Sequence, residues 1–122
     1  MKKTLQLVLL LVTNPSWAAW VKISETDDAV FYIDPATLRK DGHLRRIWNV
    51  QDLNKPDDGA RSYRTRYEFD CKNERTKVLS LSTHSAPMAG GETLISTNGS
   101  GMWQDIPPDT PGADLLKFVC SR

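Results

Sequence analysis

Residues 61–71 read Arg61-Ser62-Tyr63-Arg64-Thr65-Arg66-Tyr67-Glu68-Phe69-Asp70-Cys71. Tyr63, Thr65, Tyr67, Phe69 and Cys71 fall on one side of this period-two pattern, and Ser62, Arg64, Arg66, Glu68 and Asp70 on the other. Successive side chains of a strand point to opposite faces, so the segment is a strand with one apolar and one polar side. A sheet built around it needs cover on the apolar side only. Cys71 lies on that side.

The flanking segments supply the rest of the sheet. Upstream, Trp20–Ile23 is a short strand, Asp27-Asp28 marks a turn, and Val30–Ile33 is a second strand of β-branched and aromatic residues. Asp34-Pro35 breaks it, and Pro35 to Lys40 is expected to form a turn or single helical coil. Asp41-Gly42 is a strong turn signal that launches a third strand, His43–Leu53. Asn54–Ala60, with Pro56 and Gly59, is expected to be an exposed loop before the strand over 61–71. Downstream, Lys72–Glu74 turns into a fifth strand, Arg75–Thr83, with Leu79 and Leu81 on one face. Pro87–Gly91 is irregular, and Glu92–Thr97 is a sixth strand.

The period then changes. Thr110 is a good helix N-cap with Pro111 at the first helical position. Leu116 and Cys120 sit four apart on one helical face, beside Leu115 and Val119. The expected fold class is α+β: a single-layer antiparallel sheet of about six strands, with one C-terminal helix packed across it. Cys71 and Cys120, on two apolar faces that must meet, are expected to form a disulfide tying the helix down.

That pairing presumes an oxidising compartment, and residues 1–18 supply the argument for one. Lys2 and Lys3 precede an apolar run from Leu5 to Val12, Asn14-Pro15 ends it, and Ser16-Trp17-Ala18 offers small residues before a cut. This is the pattern of a cleaved secretory signal, too short for a membrane anchor. The cut is placed after Ala18, with Ala19 as the alternative. The domain then runs from 19 to 122, and with no cysteine before Cys71 a lipid anchor at the cut is not expected. Without Lys2 and Lys3, 14 basic residues face 15 acidic ones. That balance calls for neither nucleic acid nor a lipid surface. No later stretch reaches membrane-spanning length. The location expected is the periplasm, or the cell surface or medium beyond it.

Four segments in order, WVKISETDDAV, FYIDPATLRKDGHLRRIW, STHSAPMAGGE and DIPPDTPGADLLKFVC, with both cysteines, resemble the surface-adhesin protein E family from Trp20 to Cys120. The resemblance implies an exported protein of Gram-negative bacteria. It also implies a curved antiparallel sheet whose concave side carries the disulfide-tied helix, and the binding of host extracellular-matrix and serum proteins.

Residues that bear on chemistry are few. Ser82, His84 and Ser85 form the one hydroxyl–imidazole cluster, with no nucleophile-elbow pattern and no acid nearby in sequence. No catalytic residue, cofactor or metal site is expected. His43, Asp27-Asp28 and Asp57-Asp58 read as solvated turn residues without calcium-loop spacing. The basic content points elsewhere. From Arg39 to Lys77 there are 11 Lys or Arg against 7 Asp or Glu. Arg64 and Arg66 share the polar face of their strand, and Arg45 with Arg46 lies on the preceding one. Together Arg45, Arg46, Arg64 and Arg66 form the expected binding patch, suited to a polyanionic glycan or a protein's acidic segment. Of Trp20, Trp48 and Trp103, two are expected in the core. The function expected is therefore non-enzymatic binding, the alternative being a structural or accessory protein of the envelope. The ligand and the oligomeric state are not written in the sequence.

Overall fold

A tight two-residue turn, not a loop, joins the two longest strands. In the computed structural model of the chain, which describes residues 19–122, β4 (Leu44–Asp57) runs directly into β5 (Ala60–Asp70). Asp58 and Gly59 both have positive φ, and Asp57 pairs with Ala60. Asp-Gly is the sequence such a hairpin turn prefers. The expected loop over 54–60 is thus mostly strand. Pro56 survives there because β2 (Ala29–Ile33) pairs with β4 only as far as Leu53, so no neighbour on that side asks for its missing N–H. The expected signal segment, 1–18, lies outside the described residues.

The remaining strands are β1 (Val21–Glu25), β3 (Arg39–Asp41), β6 (Arg75–Ala86), β7 (Gly90–Asn98) and β8 (Gln104–Asp105). The main path is the expected six-stranded antiparallel meander, β1-β2-β4-β5-β6-β7. Two short strands are additions. β3 pairs with the start of β4, and β8 with the start of β6. The coil expected over 35–40 is a 3-10 turn at Pro35–Thr37, capped by Asp34, which then enters β3.

Helix α1 (Pro111–Cys120) begins as its sequence requires: Thr110 Oγ1 accepts from Ala113 N at 3.2 Å, and Pro111 needs no partner. It covers the apolar face of the sheet. Leu115 and Val119 pack with Ile33, Ile47 and Phe69, flanked by Tyr67, Leu116 and Cys120. Each buried side chain of this kind contributes about 1.5–3 kcal/mol. The disulfide Cys71–Cys120 joins the end of β5 to the end of α1, with Cα atoms 5.7 Å apart. A bulge at Leu79 resets the alternation of β6: Tyr67 pairs with Val78 but Arg66 with Ser80. Val78 and Leu81, opposite Tyr67 and Thr65, therefore share the helix side, rather than Leu79 and Leu81.

Candidate binding face

The side chains of β5 that point away from α1 are Ser62, Arg64, Arg66, Glu68 and Asp70. Register sets rows across them: Arg46–Glu68–Lys77, Trp48–Arg66–Ser80, Val50–Arg64–Ser82 and Asp52–Ser62–His84. Alternation suggests a solvated polar face here, yet Ser62, Glu68, Asp70 and His84 are all buried. Ser62 Oγ donates to Ala86 O at 2.8 Å and accepts from Ala89 N at 2.9 Å at the turn after β6, while cations from neighbouring strands reach Glu68 and Asp70.

Buried carboxylates need partners, and the cations above supply them. Glu68 accepts from Arg46 Nε at 2.8 Å and faces Lys77 Nζ at 3.2 Å; Arg46 also reaches Asp41 at 3.5 Å. Asp70 accepts from Arg75 Nε at 3.1 Å, from Asn73 Nδ2, and from the amides of Lys72 and Asn73. The Asn73 side chain first, then the backbone amides and Arg75, hold the Asp70 carboxyl well below the usual carboxylate range.

Arg64 and Arg66 are different. Among the described residues neither has a carboxylate within ion-pair distance. Two positions apart on one strand face, they lie about 7 Å from each other. The Arg64 guanidinium carbon sits 4.1 Å from the Trp48 ring centroid, a cation–π contact. Its Nε is buried without a partner. A second indole repeats the arrangement: Lys77 Nζ lies 4.6 Å and Arg75 4.9 Å from the Trp103 ring. Trp48 and Trp103 are thus half-buried beneath cations, and Trp20 is half-buried as well; none of the three is a core residue.

Of the four arginines singled out in the sequence, three come together: Arg46, Arg64 and Arg66. Arg45 points to the opposite face, where its Nη1 donates to the carbonyls of Gly42 and Leu44. The sequence reading omits Lys77 and Arg75 from this face, and it singles out Trp48 and Trp103 with Trp20 as aromatics of which two should be core. Trp48 was reachable, since it shares the parity of Arg46. The others depended on cross-strand register.

Two of the three residues of the hydroxyl–imidazole cluster meet: Ser82 Oγ lies 2.8 Å from His84 Nε2, while Ser85 Oγ accepts from Glu92 N instead. Behind the ring, Nδ1 faces the Thr93 hydroxyl at 3.5 Å rather than a carboxylate. Burial, and then the charge of Arg64, push the imidazole pKa down, which favours the neutral ring. His43 is exposed, 3.7 Å from Asp70. Asp27, Asp28 and Asp57 are among the residues along the rim of one open cleft with Tyr63, which donates to Asp57. Among the described residues no three metal-ligating side chains cluster, and no helix is long and apolar enough to cross a membrane.

An open antiparallel sheet, braced on one side by a disulfide-tied C-terminal helix and carrying arginine and tryptophan on the other, defines an α+β fold. The profile of one family, surface-adhesin protein E, matches residues 20–121. The chain belongs to that family. Solved structures agree on the fold. Crystal form II of Haemophilus influenzae protein E superposes with a TM-score of 0.69 at 16% identity, over 86% of this chain and 89% of that one. A second Haemophilus influenzae protein E structure gives 0.65 at 15% identity, over 86% of each chain. Protein E from non-typeable Haemophilus influenzae gives 0.57 at 15%, over 86% of this chain and 77% of that one. No curated protein matches by sequence.

Proposed function

We propose that the chain is an exported, non-enzymatic binding domain that grips an acidic partner, a polyanionic glycan or an acidic segment of a host protein, through the face carrying Arg64 and Arg66. The observation that carries this reading is their charge. Every other cation of the central rows is neutralised by Glu68, Asp70 or Asp41, while these two remain uncompensated beside an indole. Guanidinium groups bind sulfate and carboxylate through two parallel hydrogen bonds, and an aromatic backing favours Arg over Lys. Membership of a surface-adhesin family supports the same direction, and the absence of a carboxylate behind His84 argues against Ser82 as a nucleophile.

The test is retention on a sulfated-glycan column. Wild type should bind at low salt and elute as salt rises, because exposed charges are screened over about 8 Å at physiological ionic strength. Arg64→Ala/Arg66→Ala should bind about tenfold more weakly or worse, the loss expected for one charge-assisted contact of about 1.5 kcal/mol. Arg45→Ala, on the other face, should behave as wild type. A wild type that flows straight through at low salt would leave the envelope-accessory reading ahead.

Export carries its own expected outcome. The protein recovered from the periplasm or medium should lack residues 1–18, a difference read by intact mass. Recovery of the full-length chain in the inner membrane would refute it.

A further inference from the structure

His84 adds a third group to the uncompensated pair Arg64 and Arg66: a base that can take up charge with no negative group beside it. Its ring is 6% exposed. Among the described residues neither His84 nor Arg64 has a carboxylate within ion-pair distance, and Arg64 Nε is buried without a partner. The register brings the two together. Arg64 pairs with Ser82 and Ser62 with His84, so Arg64 and His84 are diagonal neighbours across β5 and β6, about 7–8 Å apart along the backbone. Ser82, directly opposite Arg64, is the residue bonded to the ring.

The elements around the ring bring it hydroxyls and one cation. From β6, Ser82 Oγ meets Nε2, and from β7, Thr93 Oγ1 meets Nδ1 at 3.5 Å. β5 contributes Ser62 and Arg64. Asp52 of β4 is the carboxylate of the same row, but Ser62 stands between them, and Asp52 Oδ1 accepts from Met88 N at 3.0 Å. Glu92, the one charged residue of β7, lies next to Thr93, and its amide is held by Ser85 Oγ. Burial first, and then the charge of Arg64, keep the free ring neutral. Both hydroxyls can accept as well as donate, so a protonated ring finds an acceptor at each nitrogen. What it lacks is a negative charge.

We propose that a polyanion docking on Arg64 brings a proton with it, taken from solvent and held by His84, so that this face binds more tightly as pH falls. The regulation rests on the binding reading above. An anion on the guanidinium cancels the charge that opposes protonation and sets a negative one near the ring. The proton arrives at whichever ring nitrogen was the acceptor, and both N–H groups then donate, one to Ser82 and one to Thr93. Linkage makes the effect reciprocal: the factor by which the ligand favours the proton is the factor by which the proton favours the ligand. The ring holds its proton to a higher pH in the complex than in the free protein. Affinity is therefore greatest below both transitions and declines as pH rises through them, by about tenfold for each unit between them. His84 acts through its charge and needs no contact with the ligand.

Sucrose octasulfate is the probe, because its sulfates stay ionised across the range in which a histidine titrates, and only the protein changes charge. Calorimetry on the processed chain should show roughly threefold to tenfold tighter binding at about pH 5.5 than at about pH 7.5. Between those values, buffers of different ionisation enthalpy should reveal proton uptake on binding. His84→Gln should bind with no such pH dependence, whereas His43→Gln, which removes the exposed imidazole near Asp70, should keep it. If His84→Gln fails to fold, the wild-type ring decides alone: its NMR titration should move to higher pH when the protein is saturated with the octasulfate. Equal affinity at both pH values, a ring whose titration the ligand leaves in place, or a dependence that survives in His84→Gln overturns the linkage and spares the binding reading. A wild type that binds the octasulfate at neither pH overturns both.

Discussion

Asp70 has almost no exposed surface, yet it carries a charge among donors from Lys72, Asn73 and Arg75. A carboxyl whose pKa is lowered on folding contributes stability that is present above its unfolded value, about 3.9, and lost as pH falls through the lower folded one. Asp70→Asn should therefore lower the melting temperature at neutral pH, and the gap to wild type should close as the pH drops below about 4. Melts recorded from pH 7 to pH 2 would show it; a gap independent of pH would mean the charge is irrelevant. Reading the sequence correctly put Asp70 on the face away from Cys71. It did not foresee the burial, because Arg75 reaches Asp70 across a hairpin whose register no local pattern encodes. Arg45 and Arg46 teach the complementary point. Adjacent residues on a strand face opposite ways, so period two alone separates them.

Among the elements, β5 and α1 were the most legible, and each for a local reason. β5 alternates without interruption, and α1 announces its start with Thr110 and Pro111. The short strands β3 and β8 were invisible because they exist only by pairing with the ends of β4 and β6. The run 54–60 misled because Pro56 and Gly59 are ordinary loop markers, and only the Asp58-Gly59 pair at its end encodes the actual hairpin. The disulfide was legible from two faces that had to meet. It closes a separation of 49 residues, for which the chain-entropy model gives about 4 kcal/mol. Cys71→Ser and Cys120→Ser should each lose a similar amount in denaturant unfolding, and the double variant little more. Strongly additive losses would show that the two sulfurs act separately and that the bridge is not what holds α1 to the sheet.

At the scale of the whole molecule the two sides of the sheet carry different work: α1 and the disulfide stabilise one, while long cationic side chains over two indoles finish the other. That division places the uncompensated arginines on a rigid support instead of a loop, and rigid presentation lowers the ordering cost of binding. It has an optical consequence too. With the Arg64 guanidinium stacked on Trp48, the proposed site contains its own fluorophore. A ligand that draws the guanidinium toward an anion changes what the indole ring sees, so titration with a sulfated glycan should shift or quench the intrinsic emission. Trp48→Phe should abolish most of that signal while leaving column retention largely intact, which separates the reporter from the grip. A titration that leaves the emission untouched while the glycan binds would place the contact elsewhere on the surface.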